Sequence, residues 1–135
     1  MIRTLLADTG PLYALADPTD QFHARAATEL ETIDKKGFTV AISYATFCEA
    51  YTLILRRLGG DYARQWLAEI FAGAVLVNPE PSDYYWAASQ IDRFPDQTIT
   101  LVDAVTVALS LRLGVPVWSF DRHFALMRAK LWRLP

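Results

Sequence analysis

The stretch TLVDAVTVALSLRLGVPVWSFDRHF, Thr100 to Phe124, decides how the rest of the chain is read. Its first half is apolar on nearly every side, as in a helix buried all round. Gly114 and Pro116 mark a tight turn, and residues 115–120 read as a short buried strand. One carboxylate stands at each tip, Asp103 where the helix begins and Asp121 where the strand ends. An apolar hairpin gains nothing from charge at both tips unless something there attracts it.

Working outward, residues 2–7 form a strand-like run that Asp8-Thr9-Gly10-Pro11 ends, with a short helix over 12–16 behind Pro11. A helix near 20–36 places Phe22, Ala26, Leu30 and Ile33 on one face and stops at Gly37. Residues 38–42 read as a second strand, and Ser43 caps a helix over 44–58. Asp61 caps a helix over 62–71, residues 74–77 read as a third strand, and beyond Pro79 and Pro81 a Ser82-capped helix runs to about Asp92. A polar loop leads back to Thr100. After Asp121 a short helix extends to about Lys130, and 131–134 reads as a small edge strand.

Strands alternating with helices, often in pairs, are the pattern of a parallel sheet covered on both faces. The expected fold is therefore α/β, a three-layer α/β/α sandwich around a parallel sheet of about four to five strands. With 135 residues, 53% of them hydrophobic and 21% charged, and no repeat or linker, residues 1–135 read as a single domain. No apolar run reaches the ~18 residues of a membrane span. The lone Cys48 excludes an internal disulfide or a cysteine metal cluster. With no signal-peptide pattern behind Met1, it points to the cytoplasm.

Thirteen basic residues against 15 acidic ones give a net charge of −2, a weak argument against a nucleic-acid partner. The balance changes sign if four acids are reserved for a cation, because the remainder is then net positive. Those four are Asp8, Glu49, Asp103 and Asp121, and each has a plain structural explanation. Asp8 is equally a turn residue and Asp121 a helix cap. Thr100-x-x-Asp103 has the form of a capping box. Glu49 sits opposite the apolar stripe of its helix, although no basic side chain lies three or four residues away to pair with it. Taken together they are harder to explain separately. Asp8 and Asp121 both follow strands directly and project from the carboxyl rim where parallel sheets bind ligands. A helix start facing that rim brings Asp103 alongside. Carboxylates gathered there repel one another unless protonated or bridged by a cation, and an all-oxygen set favours Mg²⁺ or Mn²⁺. Such a centre suits phosphoryl chemistry.

With these residues in place the chain resembles the PIN-domain ribonucleases, most closely the VapC-like toxins of toxin–antitoxin pairs. The resemblance rests on Leu-Ala-Asp8-Thr9, Ser43-x-x-Thr-x-x-Glu49, Leu101-Val-Asp103-Ala-x-x-x-Ala108 and Trp118-Ser-Phe-Asp121-Arg-His-Phe124, which run in family order over essentially the whole chain. It implies a metal site carried by Asp8, Glu49, Asp103 and Asp121, with Ser119 and Thr9 as supporting hydroxyls and Asp96 as an outer ligand. It further implies cleavage of RNA with Mg²⁺ or Mn²⁺, a homodimer, and silencing by an antitoxin. Arg56, Arg112 and Arg122 are the foremost candidates for phosphate contacts, with Arg57 and Arg128 beside them.

Two rival functions are carried. A phosphatase-like hydrolase with Asp8 as nucleophile ordinarily needs a second aspartate two residues on, where this chain has Gly10. A catalytically silent PIN-like module that binds RNA or protein would have no need of all four acids. A Ser119–His123–Asp121 triad lacks a nucleophile-elbow motif, and no phosphate-binding G-x-x-x-x-G-K-S/T loop is present. His23 reads as surface. Trp66, Tyr84, Tyr85 and Trp86 read as core or dimer interface.

Overall fold

The computed structural model describes residues 3–134. Four strands, β1 (Arg3–Ala7), β2 (Phe38–Ser43), β3 (Val75–Val77) and β4 (Val117–Trp118), form one parallel sheet in the order β3-β2-β1-β4. Between β1 and β2 lie α1 (Thr9–Ala16) and α2 (His23–Lys35), and between β2 and β3 lie α3 (Tyr44–Leu58) and α4 (Gly60–Gly73). The third crossover carries α5 (Pro81–Arg93) and α6 (Leu101–Leu113), and α7 (His123–Leu126) follows β4.

The period-two alternation of β1 sorts its side chains between two layers. Leu5 and Ala7 join Ile42 and Trp118 in the core beneath α1 to α4, with Tyr13, Ile33, Ile54 and Trp66. Leu6 turns the other way with Ala41 to meet Leu109 of α6. On that side Val117 packs with Val105, Val107, Phe124 and Met127. The result is the expected three-layer sandwich. From Asp103 to Ser110 every residue of α6 is buried, which explains why that helix shows no polar face in the sequence.

Several boundaries differ from the sequence reading, each for a local reason. Strand β4 is two residues long rather than six, because Ser119 and Asp121 enter a turn in which the Ser119 hydroxyl accepts from the Asp121 N–H. The edge strand expected over 131–134 is a single bridge, Leu131 beside Val117. The terminal helix stops at Leu126, and Arg128 takes a positive φ of 68° shortly after it. The cap of α5 is Glu80 rather than Ser82. Pro81 fits the first helical position, where no N–H is needed, and Glu80 and Asp83 form a reciprocal capping box. Helix α4 is capped by Gly59, with Asp61 inside its first turn. Helix α1 begins at Thr9, so Asp8 is its N-cap residue as well as the residue that ends β1. Helix α2 begins at His23 and leaves Phe22 just outside. His23 is not plain surface: it is half-buried, and its Nδ1 lies 2.7 Å from the Ala14 carbonyl, which fixes Nδ1 as the donor. Ile2, the first residue of the expected first strand, lies outside the described residues. None of the described helices is long and apolar enough to cross a membrane.

Candidate active site

The chain order places a crevice beside β1. The first two crossovers carry the sheet from β1 through β2 to β3, and the third returns it to the opposite edge of β1 as β4. The carboxyl ends of β1 and β4 thus flank the topological switch point, where open parallel sheets bind ligands. Ala7 pairs with Trp118, so the residues immediately after them, Asp8 and Ser119, emerge side by side. The Asp8 N–H donates to the Trp118 carbonyl at 2.9 Å, and the Ser119 hydroxyl donates to Asp8 Oδ2 at 2.8 Å. Because Ser119 also accepts from the Asp121 backbone, one buried hydroxyl ties the two acid-bearing turns together.

An open cleft of about 620 Å³ lies over this point, and Asp8, Glu49, Asp103 and Asp121 all line it. They arrive from four separate elements: the ends of β1 and β4, the middle of α3 and the first turn of α6. Glu49 is not left in solvent as its helical position suggests, since the Thr9 hydroxyl donates to its Oε1 at 2.8 Å. Asp103 is set by its helix start, where Thr100 Oγ1 accepts from the Asp103 N–H at 3.1 Å. That is an N-cap rather than a full capping box, because the Asp103 carboxylate makes no return bond to the Thr100 N–H. Asp121 Oδ1 accepts from the His123 N–H at 2.8 Å, while the His123 ring Nδ1 stands 3.1 Å from the same oxygen without hydrogen-bond alignment.

These acids are electrostatically expensive. Burial, reinforced by the nearby Asp103 charge, pushes Asp8 up from 3.8 to about 7, although the Ser119 and Thr9 bonds pull the other way. Burial likewise raises Asp103 to about 6, with Asp121 and Glu49 adding repulsion against the opposing pulls of Thr100 and His123. One oxygen, Asp8 Oδ1, is buried with no hydrogen-bond partner. A buried acceptor left unpaired costs on the order of 1–3 kcal/mol, and a proton or a cation would satisfy it.

The donor set therefore fits a hard divalent cation in chemistry. Among the described residues no three of these side chains already form a ligand cluster around one point. This is compatible with Mg²⁺, which keeps several waters and takes only one or two carboxylates.

The remaining sequence candidates separate clearly. Arg122 and Arg57 line the cleft, and Arg57 also lies 5.1 Å over the Tyr13 ring. Arg56 lines a neighbouring depression that shares Glu49 and Thr100 with the cleft. Arg112 lies elsewhere, its guanidinium held by Asp83 through bonds of 3.0 and 2.8 Å where α5 packs on α6. Asp96 is exposed in the loop after α5 and does not line the cleft. Arg128 borders a separate hollow with Trp86 and Phe94. Trp66 is core, stacked on Phe47, whereas Tyr85 is the most exposed aromatic of α5. Tyr13, Asp20, Phe22 and Phe120 also line the cleft, and the sequence did not single them out. For Phe22 the apolar periodicity of its helix argues for core, and for Tyr13 the available signal is its place shortly after Asp8.

An α/β/α domain with a carboxylate-lined crevice at the switch point of its parallel sheet is the class this geometry defines. Within that class the chain belongs to the PIN-domain family, whose model matches residues 5–130. Solved structures share the fold. VapC20 of Mycobacterium tuberculosis, described as a Sarcin-Ricin loop cleaving toxin, superposes with a TM-score of 0.82 at 21% identity, covering 96% of this chain and 99% of that one. VapBC2 of Rickettsia felis, bound to a DNA fragment from its promoter, gives 0.74 at 10% identity, with 96% and 97% covered. FitAcB of Neisseria gonorrhoeae gives 0.68 at 15% identity, with 96% of each chain covered. At these identities the likeness is one of fold. No curated protein gave a significant match.

Proposed function

We propose that this single domain is a Mg²⁺- or Mn²⁺-dependent endoribonuclease that acts as the toxin of a toxin–antitoxin pair. The observation that carries the reading is the convergence of Asp8, Glu49, Asp103 and Asp121 on one cleft, with Asp8 and Asp103 too poorly solvated to ionise freely. Asp8, Asp103 and Asp121 bind the cation in this reading. Glu49, oriented by Thr9, is a further ligand or a base acting through water. A bound divalent ion supplies the positive charge that offsets charge developing on the phosphate and activates water for in-line attack. Ser119 holds Asp8 in register with the Asp121 turn, a supporting bond of the kind whose loss costs metal sites roughly 10- to 100-fold. Arg57 and Arg122 neutralise the phosphates that flank the scissile bond. Their placement beside the acids supports a polyanionic substrate despite the net charge of −2.

The toxin role draws its support from family membership and from a solved structure of the same fold that is described as a Sarcin-Ricin loop cleaving toxin. A cognate antitoxin, a homodimeric assembly and a cytoplasmic location belong to the same proposal. The direct test is incubation of the purified protein with cellular RNA. Cleavage should appear with Mn²⁺ or Mg²⁺, stop on chelation and resume when the ion is restored; cleavage indifferent to chelator would refute the metal-dependent reading.

A further inference from the structure

At the rim of the cleft, next to the acids, two aromatic rings are held together on an unusual support. Phe22 and Phe120 both line the cleft, with ring centroids 5.3 Å apart and planes tilted by 39°. Phe22 is 38% exposed, and its backbone is fixed outside α2 by an Asp20 carboxylate that accepts its N–H at 2.9 Å. Phe120 directly precedes Asp121, and the guanidinium of Arg25 lies 4.3 Å over its ring. Arg25 is in turn anchored, because Nε donates to Glu29 Oε2 at 3.2 Å. The second oxygen of Glu29 accepts from Trp118 Nε1 at 2.8 Å. Glu29 is 5% exposed.

Burying a carboxylate to hold an arginine is a weak way to add stability, since desolvation offsets most of the attraction. It is an effective way to fix geometry. The chain Trp118–Glu29–Arg25–Phe120 fixes the ring of Phe120 relative to β4, the strand that also delivers Asp121.

Building on the nuclease reading, we propose that Phe22 and Phe120 form a stacking platform for a nucleobase of single-stranded RNA, one whose phosphate lies at the acidic centre. Aromatic faces serve this purpose because every base has a π-face, so stacking positions the strand without demanding a sequence. A phosphate held by a cation and a base held on a platform fix a nucleotide at two points. That is the orientation an in-line displacement needs. The arrangement also selects an unpaired nucleotide, since a base stacked within a duplex cannot reach the rings.

The test compares RNA affinities in the Asp8→Asn background, which keeps the strand uncut and, with the cation site disabled, isolates the contribution of the rings to binding. The probe is a short fluorescent single-stranded RNA, unmodified or carrying one abasic nucleotide at successive positions. Phe22→Ala should weaken binding of the unmodified RNA about tenfold. At one position the abasic substitution should weaken the parent to the same degree and remove the difference between the two proteins. Phe22→Leu, which keeps bulk but loses the π-face, should be impaired like Phe22→Ala. Full affinity in Phe22→Leu, or an equal loss by Phe22→Ala on every abasic RNA, would overturn the platform. If the wild-type protein cuts RNA and Phe22→Ala in the Asp8→Asn background binds it undiminished, the platform alone fails and the rings are left to a protein partner. If the wild-type protein neither binds nor cuts RNA, the nuclease reading fails and the platform with it.

Discussion

Asp8→Asn should lower metal-dependent RNA cleavage by at least about a hundredfold while leaving the fold intact. Loss of a supporting bond around a metal ligand already costs roughly 10- to 100-fold, and Asp8 is proposed as a ligand itself. The side chain is buried, its Oδ2 is committed to Ser119, and its Oδ1 has no protein partner. Asparagine keeps the volume and can still accept from Ser119, so the packing of β1 against β4 survives. It removes the negative charge that a cation requires. Cleavage within a few fold of wild type, measured at saturating Mn²⁺ on the same RNA, would remove Asp8 from the centre. It would also leave the buried unpaired oxygen without a functional explanation.

The same substitution should stabilise the metal-free protein at alkaline pH. The sign follows from the direction of the shifts. Asp8 and Asp103 have folded-state values of about 7 and about 6, above the 3.8 of the unfolded chain. Between these limits the folded state holds protons that the unfolded state has released. Folding stability must therefore fall as pH rises from about 4 through 7. At about 1.4 kcal/mol per unit, the Asp8 shift alone corresponds to a loss of roughly 4 kcal/mol by pH 8. Asp8→Asn abolishes that loss. In chelator at pH 8 its melting temperature should exceed that of wild type by on the order of 10 °C, and at pH 4.5 the two should nearly coincide. Adding Mn²⁺ at pH 8 should raise the wild-type melting temperature alone. Equal melting at both pH values would mean that burial in the cleft imposes no such cost on the Asp8 charge.

Much of this arrangement was legible before the fold was known, and the parts that were not share a cause. Paired helices between apolar runs sufficed to read a parallel, two-sided sheet, because only a core covered on both faces needs strands so apolar. Asp8 directly follows β1 and Asp121 lies in the turn that follows β4, and the rule for parallel sheets puts both on one rim. Glu49 was harder, since its helical position reads as solvent. What retrieves it is Thr9, forty residues away, and no local pattern encodes that bond.

The arginines show the same limit. Arg56, Arg57 and Arg112 are equivalent in sequence, yet Arg57 faces the cleft and Arg112 is spent on Asp83. Phe22 fits the apolar stripe of α2 by spacing, but the helix begins one residue later and the ring goes to Phe120. Periodicity locates faces within an element. It does not show which neighbouring element a residue just beyond the helix end will meet.

The central claim is that the four carboxylates make a divalent-cation centre, and calorimetric titration with Mn²⁺ tests it most directly. At pH 8 wild-type protein should bind Mn²⁺ and Asp8→Asn should not. At pH 6.5, below the value of about 7 to which burial pushes Asp8, the wild-type binding heat should vary with the ionisation enthalpy of the buffer, because binding displaces a proton. Absence of binding by the wild-type protein, or equal binding by both, would contradict the account.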